Sequence, residues 1–287
     1  MAIQASELIL NPDGSVYHLN LLPQDIASDI IFVGDQDRVT KITKYFDSIE
    51  VTKQKREFKT QTGTYKGKRI SVMSTGIGPD NIDIVVNELD ALVNIDLKTR
   101  TVKDKLSSLN IVRLGTSGAL QPDIPVDSIV MSTHGLGLDN MLRSYELDPV
   151  SQTDIEDAFI SHTNWDSRKG RPYVISGSIE LQNRLYSSSI FKGITATAGG
   201  FYGPQGRVLR LAIQDAELNS KMDNFTFKEH RISNFEMETA AIYGLSRLLG
   251  HNALSMNAII ANRALGTFSE DPYIAVENLI LYALDKI

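Results

Sequence analysis

The sequence predicts an α/β fold with a largely parallel sheet covered by helices. Apolar residues 30–33 lead through a glycine turn into a helical pattern, and residues 69–73 lead through a second small-residue loop into a helix over about 80–93. A third apolar run opens residues 110–120. Alternation of strands, loops and helices is typical of parallel sheets, in which ligand-binding loops cluster beyond the carboxyl ends of the strands.

The rest of the chain continues this pattern. Short apolar runs and amphipathic spacing predict strands at 128–133, 172–176, 194–198 and 253–261, and helices near 180–185, 238–249 and 271–284. Residues 138–171 are polar and poorly periodic, which indicates either an insertion that shapes a pocket rim or a long surface excursion. Because no repeat, linker or boundary is evident, a single domain over residues 1–287 is the simplest prediction.

Composition excludes several classes of function. The 287 residues are 42% hydrophobic and 22% charged, as in an ordinary soluble protein, and the net charge of -6 offers no broad footprint for nucleic acid. The absence of cysteine excludes disulfides, thiolate metal sites and a cysteine nucleophile. We find no membrane-spanning run and no leader-like segment, so the sequence predicts a cytoplasmic protein without a membrane or nucleic-acid partner.

Residues 110–120 (NIVRLGTSGAL) are the first candidate for a binding site. An apolar run containing Arg113 is followed at 115–119 by small residues, which predict a loop whose backbone approaches a ligand closely. Amides of such a turn, the hydroxyls of Thr116 and Ser117 and the Arg113 guanidinium suit an anion. The same pattern also fits a strand-end turn with a surface arginine, and these residues alone do not decide between the two.

Four further residues are weaker candidates. Gly34 follows a predicted strand and Arg38 falls in the first turn of the next helix, where a cation indicates either an anionic partner or simple solvent exposure. Arg56 lies in a charged stretch before a predicted hairpin turn at 64–67, and its local context favours a solvated edge residue. His18 alone is more typical of a packed or surface histidine.

Two later stretches are candidates for contacts with a ligand, and the first of them suits a planar one. Residues 199–210 combine glycines with Phe201, Gln205 and Arg207, an aromatic surface beside amide and guanidinium donors; a plain turn has the same composition. Glu236 and Glu238 are two residues apart at a predicted strand-to-helix corner, where they could address different sides of a ligand. Their alternative role is to compensate the dipole of the following helix.

Taken in order, these stretches resemble the nucleoside phosphorylase superfamily and, within it, the uridine phosphorylase branch. GDQDR at 34–38 and RLGTSGA at 113–119 are similar to its two phosphate loops, FYGPQGR at 201–207 to its base-reading loop, and EMET at 236–239 to its ribose segment. Arg56 in REF and His18 in YHL match residues that a neighbouring subunit contributes. The resemblance implies a three-layer α/β/α domain with a central mixed, mostly parallel twisted sheet.

The resemblance also implies a role for each matched residue. Phosphate would be bound by Gly34, Arg38, Arg113 and Thr116 with Arg56 of a neighbouring subunit; ribose by His18, Thr116, Glu236, Met237 and Glu238; and the base by Phe201, Gln205, Arg207 and Arg263. Of these, Arg113, Gln205, Arg207 and Glu238 would carry the catalysis.

The implied reaction is phosphorolysis of uridine to uracil and ribose 1-phosphate. Asn262 and Arg263 stand where hexameric purine enzymes of the superfamily typically place Ser-Asp, and Arg38, Arg56 and Arg113 are present, unlike in the nucleosidases of this fold. The alternatives are a purine nucleoside phosphorylase, a nucleoside hydrolase and a non-catalytic nucleoside-binding protein.

The resemblance implies no cofactor and no metal. Inorganic phosphate takes part in the implied reaction as a co-substrate. STGIGPDN at 74–81 departs from the STGIGGPS form with which some relatives build a monovalent-cation site, so the sequence gives no ground for asserting one. The predicted partners are the nucleoside, phosphate and further copies of the chain. A dimer would complete each site at its interface, and a hexamer is the form common in the family.

Overall fold

The computed structural model describes residues 2–287 and divides them into two compact units. Unit 1 runs from the N-terminus to Val112 and includes Leu249–Asn252, and unit 2 comprises Arg113–Leu248 and Ala253–Ile287. The one-domain organisation of residues 1–287 stays a prediction. Among the described residues, no helix is both long enough and apolar enough to cross a membrane.

Unit 1 contains the two predicted strand-loop-helix segments. Its strands follow the order β2-β3-β4-β1, with β1 and β4 parallel and the other neighbours antiparallel, while β5 and β6 form a separate hairpin. The bounds are β1 (Asp29–Val33), α1 (Gln36–Thr43), β2 (Ser48–Lys55), β3 (Phe58–Tyr65), β4 (Lys68–Ser74), α2 (Pro79–Asn94), β5 (Ile95–Asp96) and β6 (Thr101–Val102).

Local chemistry explains where the helices of unit 1 begin. The Asp35 side chain caps α1 by accepting a hydrogen bond from the Asp37 amide. Gly78 (φ 101°) turns the chain before Pro79, whose fixed φ suits the first position of α2. The predicted apolar positions of α2, among them Ile82 and Leu89, are buried. These segments confirm the periodicity-based predictions.

Unit 2 contains most of β7 and the remaining strands. Its strand order is β11-β12-β10-β8-β13; in addition β12 pairs with β7, β9 with β8, and β14 with β13. The bounds are β7 (Asn110–Ala119), β8 (Ile129–Gly137), α3 (Thr153–Thr163), β9 (Tyr173–Ser176), α4 (Ile179–Leu185), β10 (Phe191–Thr197), α5 (Leu218–Asp223), β11 (Thr226–Phe227), β12 (His230–Glu236), α6 (Thr239–Leu248), β13 (Asn252–Asn262), β14 (Thr267–Phe268) and α7 (Pro272–Leu284).

The predicted α/β fold with a mixed sheet is confirmed. Parallel pairing joins β1 to β4, β8 to β10 and β10 to β12. The other pairings with a described register are antiparallel. Tight hairpins connect β2, β3 and β4, and the short strands β9 and β14 pair with the interior strands β8 and β13.

The prediction of a loop at 115–119 is wrong, because these residues continue strand β7. Gly118 pairs with Phe235 and Ala119 with Asn234 in an antiparallel register. A Cβ on Gly115 would lie 1.9 Å from Nη1 of Arg113. The small residues are therefore required by close packing within a strand and not by loop flexibility.

Residues 138–171 form an ordered part of unit 2. They contain α3, from which Phe159 packs into an apolar cluster with Phe225 and Phe235. The fully buried carboxylate of Glu156 on α3 accepts hydrogen bonds from Arg143 at 3.0 Å and Arg171 at 3.1 Å. Because buried charges are stable only when paired, this pairing holds the segment against the core.

Candidate active site

The predicted phosphate ligands of unit 1 lie at one corner of that unit. Gly34 follows β1 and Arg38 lies in the first turn of α1. Nε2 of Gln36, between them in sequence, donates a 2.7 Å hydrogen bond to the carbonyl of Arg56. Arg56 is exposed and adopts a φ of 55° at the turn between β2 and β3. The turn that carries Arg56 is thus attached to the loop that carries Gly34 and Arg38.

His18 is held in unit 1 by a carboxylate that sequence reasoning missed. Its Nδ1 lies 2.6 Å from Oε1 of Glu88 on α2, and its side chain is 28% exposed. The amides of His18 and Leu19 donate to the same carboxylate at 2.9 and 2.8 Å. A carboxylate on Nδ1 fixes the ring orientation and the tautomer that the other nitrogen presents. The role of His18 at the ribose stays a prediction.

Arg113 is buried in unit 2, so the alternative of a surface arginine is wrong. Its Nη2 donates to the carboxylate of Glu238 and lies 3.2 Å from Oε2 of Glu236, and its Nη1 donates to Oδ1 of Asn257 at 2.8 Å. Burial disfavours its charge, but the carboxylates of Glu236 and Glu238 raise the pKa of Arg113 above its ordinary value. A permanently charged, oriented guanidinium results.

The two glutamates converge on one guanidinium, that of Arg113, and their contacts with a ligand stay a prediction. Glu236 also accepts hydrogen bonds from the amides of Glu238 (2.9 Å) and Thr239 (3.0 Å) and from the Thr197 hydroxyl (2.7 Å). These bonds satisfy donors at the start of α6, so the alternative of a helix-terminal role holds for Glu236. Glu238 instead faces Arg113.

Two further predicted ribose ligands lie at the same end of unit 2. Thr116 and Met237 are both half-buried. Because β7 and β12 are antiparallel, with Gly118 opposite Phe235, the residues before Gly118 lie beside those after Phe235. Nδ2 of Asn234 donates to the Ser117 hydroxyl at 2.8 Å and ties the two strands together. Thr116 and Met237 are thereby brought into the neighbourhood of Glu236.

The predicted base ligands form a connected cluster in unit 2. Gln205 is buried, and its Oε1 accepts a 2.6 Å hydrogen bond from Nη1 of Arg207. The Arg207 guanidinium carbon lies 3.9 Å from the centroid of the Phe201 ring, in the arrangement of a cation–π contact. Nη2 of Arg263 donates to the Gln205 carbonyl at 2.6 Å. Phe201, Gln205, Arg207 and Arg263 are therefore brought together as the sequence predicted.

This cluster has an excess of positive charge. Within residues 2–287 no carboxylate forms an ion pair with Arg207 or Arg263, and Nη1 of Arg263 is buried without a hydrogen-bond partner. Burial and the neighbouring Arg207 lower the pKa of Arg263 to about 10, and burial lowers that of Arg207. A site of this kind favours ligand groups that are rich in carbonyl oxygens or that acquire negative charge.

Comparison with known proteins identifies the class of protein. Residues 29–279 match the family model described as the phosphorylase superfamily. The chain belongs to that superfamily, and its activity is that of a nucleoside phosphorylase.

Particular relatives include both pyrimidine and purine enzymes. The chain is 28% identical over 261 residues to the uridine phosphorylase of Thermococcus kodakarensis, covering 90% of this chain and 81% of the relative. It is 26% identical over 271 residues to a DeoD-type purine nucleoside phosphorylase of Listeria monocytogenes, covering 93% and 97%. These matches confirm the resemblance seen in the sequence and leave the preferred base to other arguments.

Among solved structures, the fold matches a Trypanosoma brucei nucleoside phosphorylase described as showing uridine phosphorylase activity. The TM-score is 0.86 at 28% sequence identity, and the match covers 98% of this chain and all of the trypanosomal one (100%). The similarity therefore extends over nearly the whole chain.

Proposed function

We propose that this protein catalyses the phosphorolysis of uridine, giving uracil and ribose 1-phosphate. The observation that carries the proposal is the cluster of Gln205, Arg207 and Arg263, in which two guanidiniums share one buried glutamine and have no carboxylate partner among the described residues 2–287. A uracil ring presents two carbonyl oxygens and an imide N–H, which match the donors and the acceptor of such a cluster. The Thermococcus and trypanosomal relatives support the same substrate.

The charge of this cluster is suited to the leaving group. Departure of the base leaves negative charge on the uracil ring, and Arg207 interacts more strongly with an anion than with a neutral ring. An interaction that strengthens in the transition state raises the turnover rate, whereas equal binding of substrate and transition state does not. Fixed donors at a partly buried site are effective because they need no reorganisation during the reaction.

Asn262 gives an argument against a purine substrate. Its Nδ2 donates to the carbonyls of Gln121 (2.9 Å) and Ile124 (2.8 Å), and its Oδ1 accepts from the Leu265 amide at 2.9 Å. Asn262 thus holds the backbone, and neither its amide nor the guanidinium of Arg263, which stands opposite the aspartate of the purine enzymes, replaces the carboxylic acid that protonates a departing purine. The purine relatives remain the basis of the rival assignment.

The proposed phosphate ligands are the Gly34 amide, Arg38, Arg113 and Thr116, together with Arg56 of the partner subunit. The loss of hydration free energy when the phosphate dianion leaves water is offset when several fixed cations bind its oxygens. Arg113 has five N–H donors, so bonds to Asn257 and Glu238 do not exhaust its capacity. In this proposal Glu238 and Met237 contact the ribose, and no side chain acts as a covalent nucleophile.

The same proposal extends to organisation and location. His18 of the partner subunit would reach the ribose, so the working form is a homo-oligomer, a dimer or a hexamer, built from one-domain subunits in the cytoplasm. The reaction uses no cofactor, because phosphate supplies the attacking oxygen. Holding phosphate against the anomeric carbon as the base departs accelerates the reaction through proximity and orientation.

The test is base release from a panel of uridine, 2'-deoxyuridine, thymidine, inosine and adenosine, with and without inorganic phosphate. We expect rapid, phosphate-dependent release of uracil and formation of ribose 1-phosphate. Faster cleavage of inosine than of uridine would assign a purine phosphorylase, and release without phosphate would assign a hydrolase. Tight uridine binding without ribose 1-phosphate formation would identify a binding protein.

A further inference from the structure

Unit 2 contains a cavity whose lining residues, Arg207 apart, have no role in the proposed reaction. Its volume is about 710 Å³, and it lies between residues 202–218 and the segment that contains Trp165 and Lys169. Of the four base ligands proposed above, only Arg207 lines it. Pockets of roughly 300–1,000 Å³ hold organic ligands of moderate size, so this cavity has the dimensions of a binding site.

The walls of the cavity are largely apolar. Trp165 and Tyr202 provide aromatic surface, and Leu209, Leu211 and Ile213 provide aliphatic surface. Leu209 is 77% exposed and Leu211 75% exposed. Apolar side chains that remain in water next to a concave surface are typical of ligand-binding sites, because a ligand that covers them gains hydrophobic free energy.

The polar groups of the cavity are predominantly cationic. Lys169, Arg207 and Arg210 line it, and the Lys169 ammonium lies 4.7 Å from the centroid of the Trp165 ring. The lining carboxylate is Asp215, which pairs with Lys221 at 2.9 Å and also interacts with the charge of Lys169, so three lining cations face one lining carboxylate. Positive charge beside an apolar, aromatic wall suits a ligand with a negative group attached to a planar apolar body.

We propose that this cavity binds an amphipathic organic anion, an aromatic ring system that bears one carboxylate or sulfonate. The ring system would pack on Trp165 and Leu211, and the anionic group would bind Lys169 and Arg207. The cationic groups give the site its preference for an anion, and the apolar wall gives most of the affinity.

Occupancy of the cavity would also change base recognition. Arg207 donates to Oε1 of Gln205 and stacks on Phe201, so an anion that attracts its guanidinium competes with the base for the same side chain. By reciprocity, the anion and uracil then weaken each other's binding by the same factor. This coupling rests on the proposed function, whereas binding of the anion does not.

The test uses 8-anilino-1-naphthalenesulfonate as the anion and the uncharged N-phenyl-1-naphthylamine as its neutral analogue. Trp165 is the single tryptophan of the chain, so its fluorescence reports the cavity directly. We expect saturable quenching of Trp165 by the sulfonate, with energy transfer to the bound dye. The Lys169→Met variant should bind the sulfonate roughly three- to tenfold more weakly, with little change for the neutral analogue.

Two further variants separate this site from unspecific dye binding. Leu211→Asp should weaken both dyes, because it places a charge on the apolar wall. Lys192→Met is the matched control, since the Lys192 ammonium lies 4.2 Å from the centroid of the Tyr186 ring, outside the cavity. Absence of Trp165 quenching, or an equal effect of Lys169→Met and Lys192→Met on sulfonate affinity, would overturn the proposal. Trp165 quenching and sulfonate affinity are both measured without uridine turnover, so they test this proposal independently of the proposed function.

Discussion

Arg113 and Glu238 are 125 residues apart in sequence, and Nη2 of the arginine donates to the carboxylate of the glutamate in the interior of unit 2. Asn257 holds the other terminal nitrogen of Arg113 at 2.8 Å, and Glu236 lies 3.2 Å from the first. The proposed phosphate ligand and the proposed ribose ligand therefore fix each other's orientation. Mutual fixation of this kind pre-organises a site before substrate binds.

The Arg113 pair should be important for stability. Arg113→Met leaves the carboxylates of Glu236 and Glu238 buried without their cation, and removal of one partner from a buried pair costs about 3–5 kcal/mol. The control is Arg231→Met, which breaks an exposed pair with Asp123 and should cost at most about 1 kcal/mol. Urea unfolding measures both free energies. Equal losses of unfolding free energy in the two variants would show that the buried Arg113 pair contributes no more to stability than the exposed one.

Gly115 should tolerate a methyl group poorly. The added Cβ of Gly115→Ala would lie 1.9 Å from Nη1 of Arg113, so the guanidinium must move, and overpacking of this kind costs about 1–3 kcal/mol. Gly199→Ala is the matched control, because its Cβ would meet Asp139 at an ordinary 3.5 Å. The free energy of unfolding of the two variants should differ, and a destabilised Gly199→Ala with an unaffected Gly115→Ala would contradict the packing argument.

Elements with a strong local pattern could be predicted from the sequence. α2 is an example, because Ile82, Val85 and Leu89 recur at helical spacing and are all buried. β2 was not predicted, since Ser48–Lys55 is polar and exposed, and it becomes a strand by pairing with β3. Edge strands of this kind carry little hydrophobic signal.

The sequence indicates which residues form the proposed site, but it does not indicate the contacts between them. The small residues at 115–119 indicate close approach correctly, but the group that approaches is Arg113 of the same strand and the element is not a loop. Asn257 and Glu88 bind Arg113 and His18 from positions 144 and 70 residues away. Neither residue lies in a local motif, and such long-range pairs form only in the folded chain.

Glu238→Gln should change the discrimination between sugars. If the Glu238 carboxylate binds the 2'-hydroxyl, the variant loses a charge-assisted hydrogen bond worth about 1.5–3 kcal/mol with uridine but not with 2'-deoxyuridine. The ratio of kcat/KM for the two substrates should then fall by roughly one to two orders of magnitude. The deoxy substrate is the internal control, and an unchanged ratio would exclude this contact.

Arg207 and Arg113 should affect different kinetic parameters. Arg207→Ala removes a donor to the departing base and should lower kcat for uridine by about 10²–10³, with the KM for phosphate nearly unchanged. Arg113→Lys keeps a cation beside Glu236 and Glu238 but loses the guanidinium fork, so it should mainly raise the KM for phosphate. Steady-state kinetics with each substrate varied will show this, and equal loss of both parameters in both variants would contradict the assigned roles.

A pair of histidines outside the proposed site should make stability depend on pH. Burial, with a smaller contribution from His230, whose ring centroid lies 4.7 Å away, lowers the pKa of His134 from 6.5 to about 4, although Asp154 and Glu229 act in the opposite direction. Arg247 acts in the same direction as His230. His134 is thus neutral in the folded protein at a pH where the unfolded chain is already protonated.

The sign of the effect follows from proton binding in the two states. Between pH 6.5 and about 4 the unfolded chain binds a proton that folded His134 does not, so the free energy of unfolding falls as pH falls through this interval. The shift corresponds to a loss on the order of 3 kcal/mol, complete once the pH is below the folded pKa. His134→Gln should remove this part of the acid dependence, whereas His162→Gln, at an exposed position of α3, should retain it. Urea unfolding at both ends of the interval measures the difference, and equal acid sensitivity in the wild type and His134→Gln would show that His134 does not titrate in this way.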